Sequence, residues 1–212
     1  WALGQHTYRS VIDAIASQDC RVIAPSLPGF GGTPALPDDE FSLRGYSTWV
    51  RELLEVLDVR EPVVVVGHSF GGRISVRIAG RRVVPIRALA LIGVPGLPAS
   101  PWTRGALRRR GVRLLRACLR LVAPVTGSGP LAWHSRRFGS RDFQAAGDLR
   151  GVLVRTVAED LTPLVTAIAC PVLLLYGSAD TETPPWLAGV ARSTASEILP
   201  TRHDGRLCRL AT

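Results

Sequence analysis

The stretch VVVVGHSFGG, residues 63–72, sets one hydroxyl among small residues at the end of a valine run. Ser69 is the centre of a G-x-S-x-G spacing that runs from Gly67 to Gly71. A serine hydroxyl is a poor nucleophile unless a base takes its proton and an acid orients that base. The chain offers four histidines: His6, His68, His134 and His203. His68 adjoins the serine, so its side chain is expected to point away from the tip of the turn. His6 and His134 fall in loop-like or lid-like segments. His203 follows the last strand-like run, in ILPTRHDG, where a loop can bring it over a sheet edge. Asp180, in YGSADTETPP, stands just beyond another apolar run and is the candidate acid. Plainer readings exist: Asp180 as a cap before Pro184 and Pro185, and His203 as a surface histidine near a terminus. Acting together, the three side chains would perform acyl transfer.

Such chemistry needs elements that hold the serine up. A sharp strand–turn–helix elbow lifts Oγ above a sheet edge, and small residues two before and two after the serine avoid clashes there. The serine then sits at a helix N-terminus, where the Phe70 N–H can face a developing oxyanion. Short Val, Ile and Leu runs without alternation predict buried strands at 21–27, 62–68, 87–94 and 171–177, with a weaker one at 196–201. Apolar residues at helical spacing predict a helix over 45–58, and a second helix is expected over 71–80. Alternating strands and helices imply an α/β fold with a mostly parallel sheet flanked by helices.

Residues 97–160 interrupt that alternation. Leu107, Gly111, Leu114, Leu115, Cys118, Leu121 and Val122 form one helical face, and Arg109, Arg113, Arg116 and Arg120 another. This basic amphipathic pattern is expected to belong to a helical lid. The expected organisation is a core over 1–96, the lid over 97–160 and the rest of the core over 161–212.

The 212 residues suffice for one domain with a real core. Net charge is +9, and all the basic residues are arginine, with no lysine or asparagine. That reads as the drift of a GC-rich genome rather than as a nucleic-acid surface. The arginines of the lid read as a solvated face rather than as contact with a membrane or an acidic substrate. Cys20, Cys118, Cys170 and Cys208 are scattered, so no zinc site or disulfide framework is expected. No apolar run reaches a membrane span and no leader is visible at WALGQHTYRS, which makes the cytoplasm the expected compartment.

Together these segments resemble the α/β-hydrolase-fold family, in bacterial members with a helical lid. RVIAPSLPGFGGTP resembles the loop that usually reads D-x-P-G-x-G, and GHSFGG resembles the nucleophile elbow. PVLLLYGSADTETP resembles the acid-bearing segment and LPTRHD the histidine loop. The residue order Ser69, Asp180, His203 is that family's order. The resemblance implies Ser69 as nucleophile, Asp180 as acid, His203 as base and the amides of Phe70 and Trp1 as oxyanion donors. It implies a small-molecule ester or acyl substrate and no cofactor or metal. A serine at the elbow argues against dehalogenase and epoxide-hydrolase chemistry, which the family performs from an aspartate. Three departures are expected to matter. Ser26 stands where the loop usually has aspartate, a change of loop packing. A central strand ending in His-Gly would precede Trp1, and its absence would leave two buried edges, at 21–27 and 62–68, whose backbone groups must pair with each other or go unsatisfied. A final helix would follow His203. The chain therefore reads as cut at both ends, and a non-catalytic or degenerate relative is the alternative.

Overall fold

A computed structural model describes residues 5–94 and 159–177, the backbone of 198–199, and positions 115, 118, 119, 121, 129, 151, 155 and 156. The chain forms two compact units, Trp1–Phe41 with Ser100–Arg155, and Ser42–Ala99 with Thr156–Thr212.

In the first unit, a 3-10 turn at Gln5–Tyr8 leads into α1, Arg9–Ala16. This helix buries no side chain, and Val11 and Ile15 are exposed. The predicted strand at 21–27 does not form. A strand needs a ladder partner, and Pro25 also lacks an N–H to donate. The segment runs as half-buried chain into the SLPGFGG loop. There Gly29, Gly31 and Gly32 take positive φ, and Gly29 N donates to the Thr33 carbonyl at 3.0 Å. Ser26 serves the loop in its own way. Its hydroxyl accepts from Gln5 N at 3.3 Å, and its carbonyl accepts from the Thr33 hydroxyl at 2.9 Å. At the described positions of the basic segment, Leu115 and Leu121 are helical but exposed. The apolar face expected there is thus open at both leucines.

The second unit carries the sheet. Helix α2, Leu43–Val56, starts at Ser42, whose hydroxyl accepts from Gly45 N at 3.1 Å. Strand β1 is Val63–His68, α3 is Phe70–Arg81, and β2 is Ile86–Ile92. A short helix α4, Thr162–Val165, precedes β3 at Val172–Leu175, and β4 is Ile198–Leu199. The sheet order is β1-β2-β3-β4, with all neighbours parallel. Helix α3 packs on β1 and β2, and both α2 and α4 pack on α3.

The core lies between that helical layer and the strands: Leu43, Tyr46, Ile74, Val76, Leu89, Leu161 and Val172 are buried. The expectation of strands covered on both faces fails at β1. Val64 and Val66 are 58% and 51% exposed. Strand β1 is the sheet edge, and no described strand pairs with its outer side. Among the described residues, no helix is long and apolar enough to cross a membrane.

Candidate active site

The parallel register sets His68, Ile92 and Leu175 side by side at the strands' C-terminal ends. Ser69 is the next residue after that row. Its N–H donates to the Ile92 carbonyl at 2.9 Å, and Gly93 N–H donates to the Leu175 carbonyl at 2.9 Å. The ladder therefore runs right up to the serine, and helix α3 begins at once.

Ser69 has φ 49° and ψ −112°. Positive φ is costly for a residue with a Cβ, and this ψ lies outside the small left-handed helical well. Such a backbone costs about 1–3 kcal/mol and persists only where its surroundings enforce it. The enforcing contacts are clear. A Cβ on Gly67 would collide with the Ser75 hydroxyl and lie 2.7 Å from Gly72 Cα and 2.9 Å from the Gly71 carbonyl. A Cβ on Gly72 would collide with Val94. Arg73 N–H returns a bond to the Ser69 carbonyl at 3.2 Å. The sequence pattern is corrected on one count: a Cβ on Gly71 meets nothing within 4 Å among the described residues. The close approach that fits the turn falls at Gly67 and Gly72, one position later than G-x-S-x-G implies.

The Ser69 hydroxyl does not cap the helix. It is half-buried at the head of α3, and among the described residues its oxygen holds no part of the fold. Phe70 is the first residue of α3, where amides lie beyond the helix's own ladder. Its ring is buried edge-on against Tyr46, with centroids 5.1 Å apart. His68 is exposed at the end of β1. Tyr176, just past β3, donates its hydroxyl to the Val94 carbonyl at 3.4 Å. Burial pushes both tyrosine hydroxyls, Tyr46 and Tyr176, up to about 12, so both stay neutral near pH 7.

The structure thus brings Ser69 and Phe70 together at the strand ends. Asp180, His203 and Trp1 lie outside the described residues. The strands that precede two of them end at the same side of the sheet as β1, because β3 and β4 are parallel to it. Sequence reasoning missed Gly72, Val94, Tyr46 and Tyr176. The doubled glycine of SFGG was the signal for the first, and helical spacing already put Tyr46 on the apolar face expected over 45–58; nothing in the local pattern marks Val94 or Tyr176.

The α/β-hydrolase-fold model matches residues 2–113. The chain belongs to that family. It is 29% identical over 221 residues to the magnesium-chelatase 30 kDa subunit of Rhodobacter capsulatus, covering 94% of this chain and 75% of that protein. It is 27% identical over 205 residues to the pimeloyl-[acyl-carrier protein] methyl ester esterase of Chromobacterium violaceum, covering 89% of this chain and 78% of that one. A hydrolase from Pseudomonas aeruginosa superposes with a TM-score of 0.63 at 17% identity, over 92% of this chain and 75% of that one. The chain spans 58% to 78% of the length of the curated relatives that match most of it.

Proposed function

We propose that this α/β-hydrolase is a serine hydrolase of carboxylic esters or related acyl bonds. The observation that carries the reading is the backbone of Ser69. A strained turn that lifts an uncommitted hydroxyl beyond the sheet edge has a chemical use and no evident structural one. The kinship to a methyl ester esterase supports the choice of bond. In this reading Ser69 Oγ attacks the acyl carbonyl while His203 takes its proton. Asp180 holds the imidazole, and the Phe70 N–H, with Trp1 as second donor, stabilises the oxyanion. The imidazolium then gives its proton to the departing alcohol. Water, deprotonated by His203, attacks the acyl-enzyme, and the acid leaves as Ser69 regains its proton.

A second reading is a non-catalytic relative in which this site only binds. It is favoured by the kinship, over most of the chain, to a protein named as a magnesium-chelatase subunit. Ester turnover separates the two. With p-nitrophenyl esters of graded acyl length, Ser69→Ala and His203→Ala are expected to lower kcat by about 10⁴ or more, and Asp180→Asn by about 10⁴. Turnover that survives Ser69→Ala defeats the serine reading. A folded parent without turnover on any ester favours the binding one.

A further inference from the structure

Arg73 is fully buried, on the helix that starts at Ser69. Burying a guanidinium is costly unless its donors are used. Here Nη2 donates to two carbonyl oxygens, of Thr156 and Glu159, each at 2.6 Å. One turn along, Arg77 meets the Glu159 carboxylate at 3.0 Å, with the two side chains only 17% and 31% exposed. These contacts join segments more than eighty residues apart in sequence.

The place they grip is distinctive. The backbone is helical at Thr156 and bent at Glu159. Thr156 is also where the chain re-enters the sheet unit after Arg155. Directly afterwards the chain is seated on α3. Leu161, Leu164, Val165 and Ile168 are buried, and a Cβ on Gly80 would lie 2.9 Å from the Leu164 carbonyl carbon.

We propose that Arg73, backed by Arg77, is a positioning residue for the Ser69 site, clasping the returning chain at Thr156 and Glu159 to the first turns of α3. Arg73 makes both the clasp and the helix's first bond back to the Ser69 carbonyl. Slack in the clasp therefore reaches the elbow, where tolerances are about 0.5 Å. The proposal rests on the hydrolase reading for what Ser69 does, but the clasp can be read without it.

The test uses Arg73→Lys, which keeps the charge and loses the planar fork, and Glu159→Gln, which removes the Arg77 pair. Arg51→Gln is the control, since it removes an ion pair of 2.8 Å on exposed α2 side chains. Two readouts are taken on each protein: amide hydrogen exchange, and the kinetics of Ser69 modification by a fluorophosphonate, with maximal rate separated from apparent affinity. Arg73→Lys is expected to speed exchange about 10-fold both at 159–168 and at 70–76. The maximal labelling rate should fall about 10-fold with affinity within about twofold. Glu159→Gln should move in the same direction by less, and it carries the test if Arg73→Lys does not fold. Arg51→Gln should change neither. Faster exchange confined to 159–168, with 70–76 and labelling as in the parent, would overturn the proposal, as would unchanged exchange in both segments. A parent that is not labelled at all sinks the hydrolase reading instead, and exchange at 70–76 then decides the clasp.

Discussion

The two ends of α3 both carry a non-glycine residue at positive φ, for different reasons. At the C-terminal end Arg82 has φ 51° and ψ 43°, the left-handed helical well. Its N–H reaches the Ala79 carbonyl at 3.1 Å, and Val83 N–H reaches Ile78 at 3.0 Å. This is the ordinary way a helix stops. At the N-terminal end Ser69 has nearly the same φ but ψ −112°. No helix-ending rule explains that value. It is held by the β2 carbonyl, by the Gly67–Gly72 contact and by Val94. One positive φ closes a helix, whereas the other aims a side chain.

The contrast can be broken or sharpened by substitution. The largest effect is expected from Gly67→Ala, whose methyl meets backbone on two sides. It should cost about 3 kcal/mol in chemical unfolding, while Gly71→Ala stays near the parent. Equal costs at both glycines would mean that the tight approach is misplaced.

Next comes the packing beneath the elbow. Tyr46 is fully buried against Phe70, and its hydroxyl is pushed up to about 12, while the unfolded chain ionises near 10. The folded state therefore holds this proton more tightly. The stability this confers is full below about pH 10 and is lost as pH rises from there through about 12. Tyr46→Phe should lose about 2 kcal/mol less than the parent between pH 9 and the top of that window, measured by urea unfolding.

Smaller still, Ser69→Gly should raise stability by about 1 kcal/mol, since strain of about 1–3 kcal/mol is relieved against the entropic cost of glycine. No gain would show that the serine is not strained. Arg82→Gly should gain only about 0.5 kcal/mol, because the left-handed well is mild and glycine again costs entropy. A larger gain at Arg82 than at Ser69 would reverse the contrast drawn here.

Much of the β1–α3 region is legible in the sequence. The valine run, the glycines and the following helix fell within a residue or two of their expected places, because each is set by local pattern. The run at 21–27 looked as strand-like and formed no strand. Apolarity is a property of a segment, but a strand is a property of a pair, and no pairing is written in one segment. The clasp was illegible for a related reason. Arg73 and Arg77 look like surface charges on a helix, and their partners lie more than eighty residues away. At the site, the strain on Ser69 was foreseeable from the need for an elbow. The shift of the tight contact to Gly72 was not, since it depends on where Val94 sits.

In the proposed reading, Ser69 is held in a strained turn so that its hydroxyl can react. The most direct test of that reading is to expose the folded protein to a fluorophosphonate and map the modified residue by mass spectrometry. A single adduct on Ser69 is expected, absent in Ser69→Ala and retained in Arg82→Gly. A folded protein that stays unmodified at Ser69, or an adduct that persists when Ser69 is alanine, would contradict it.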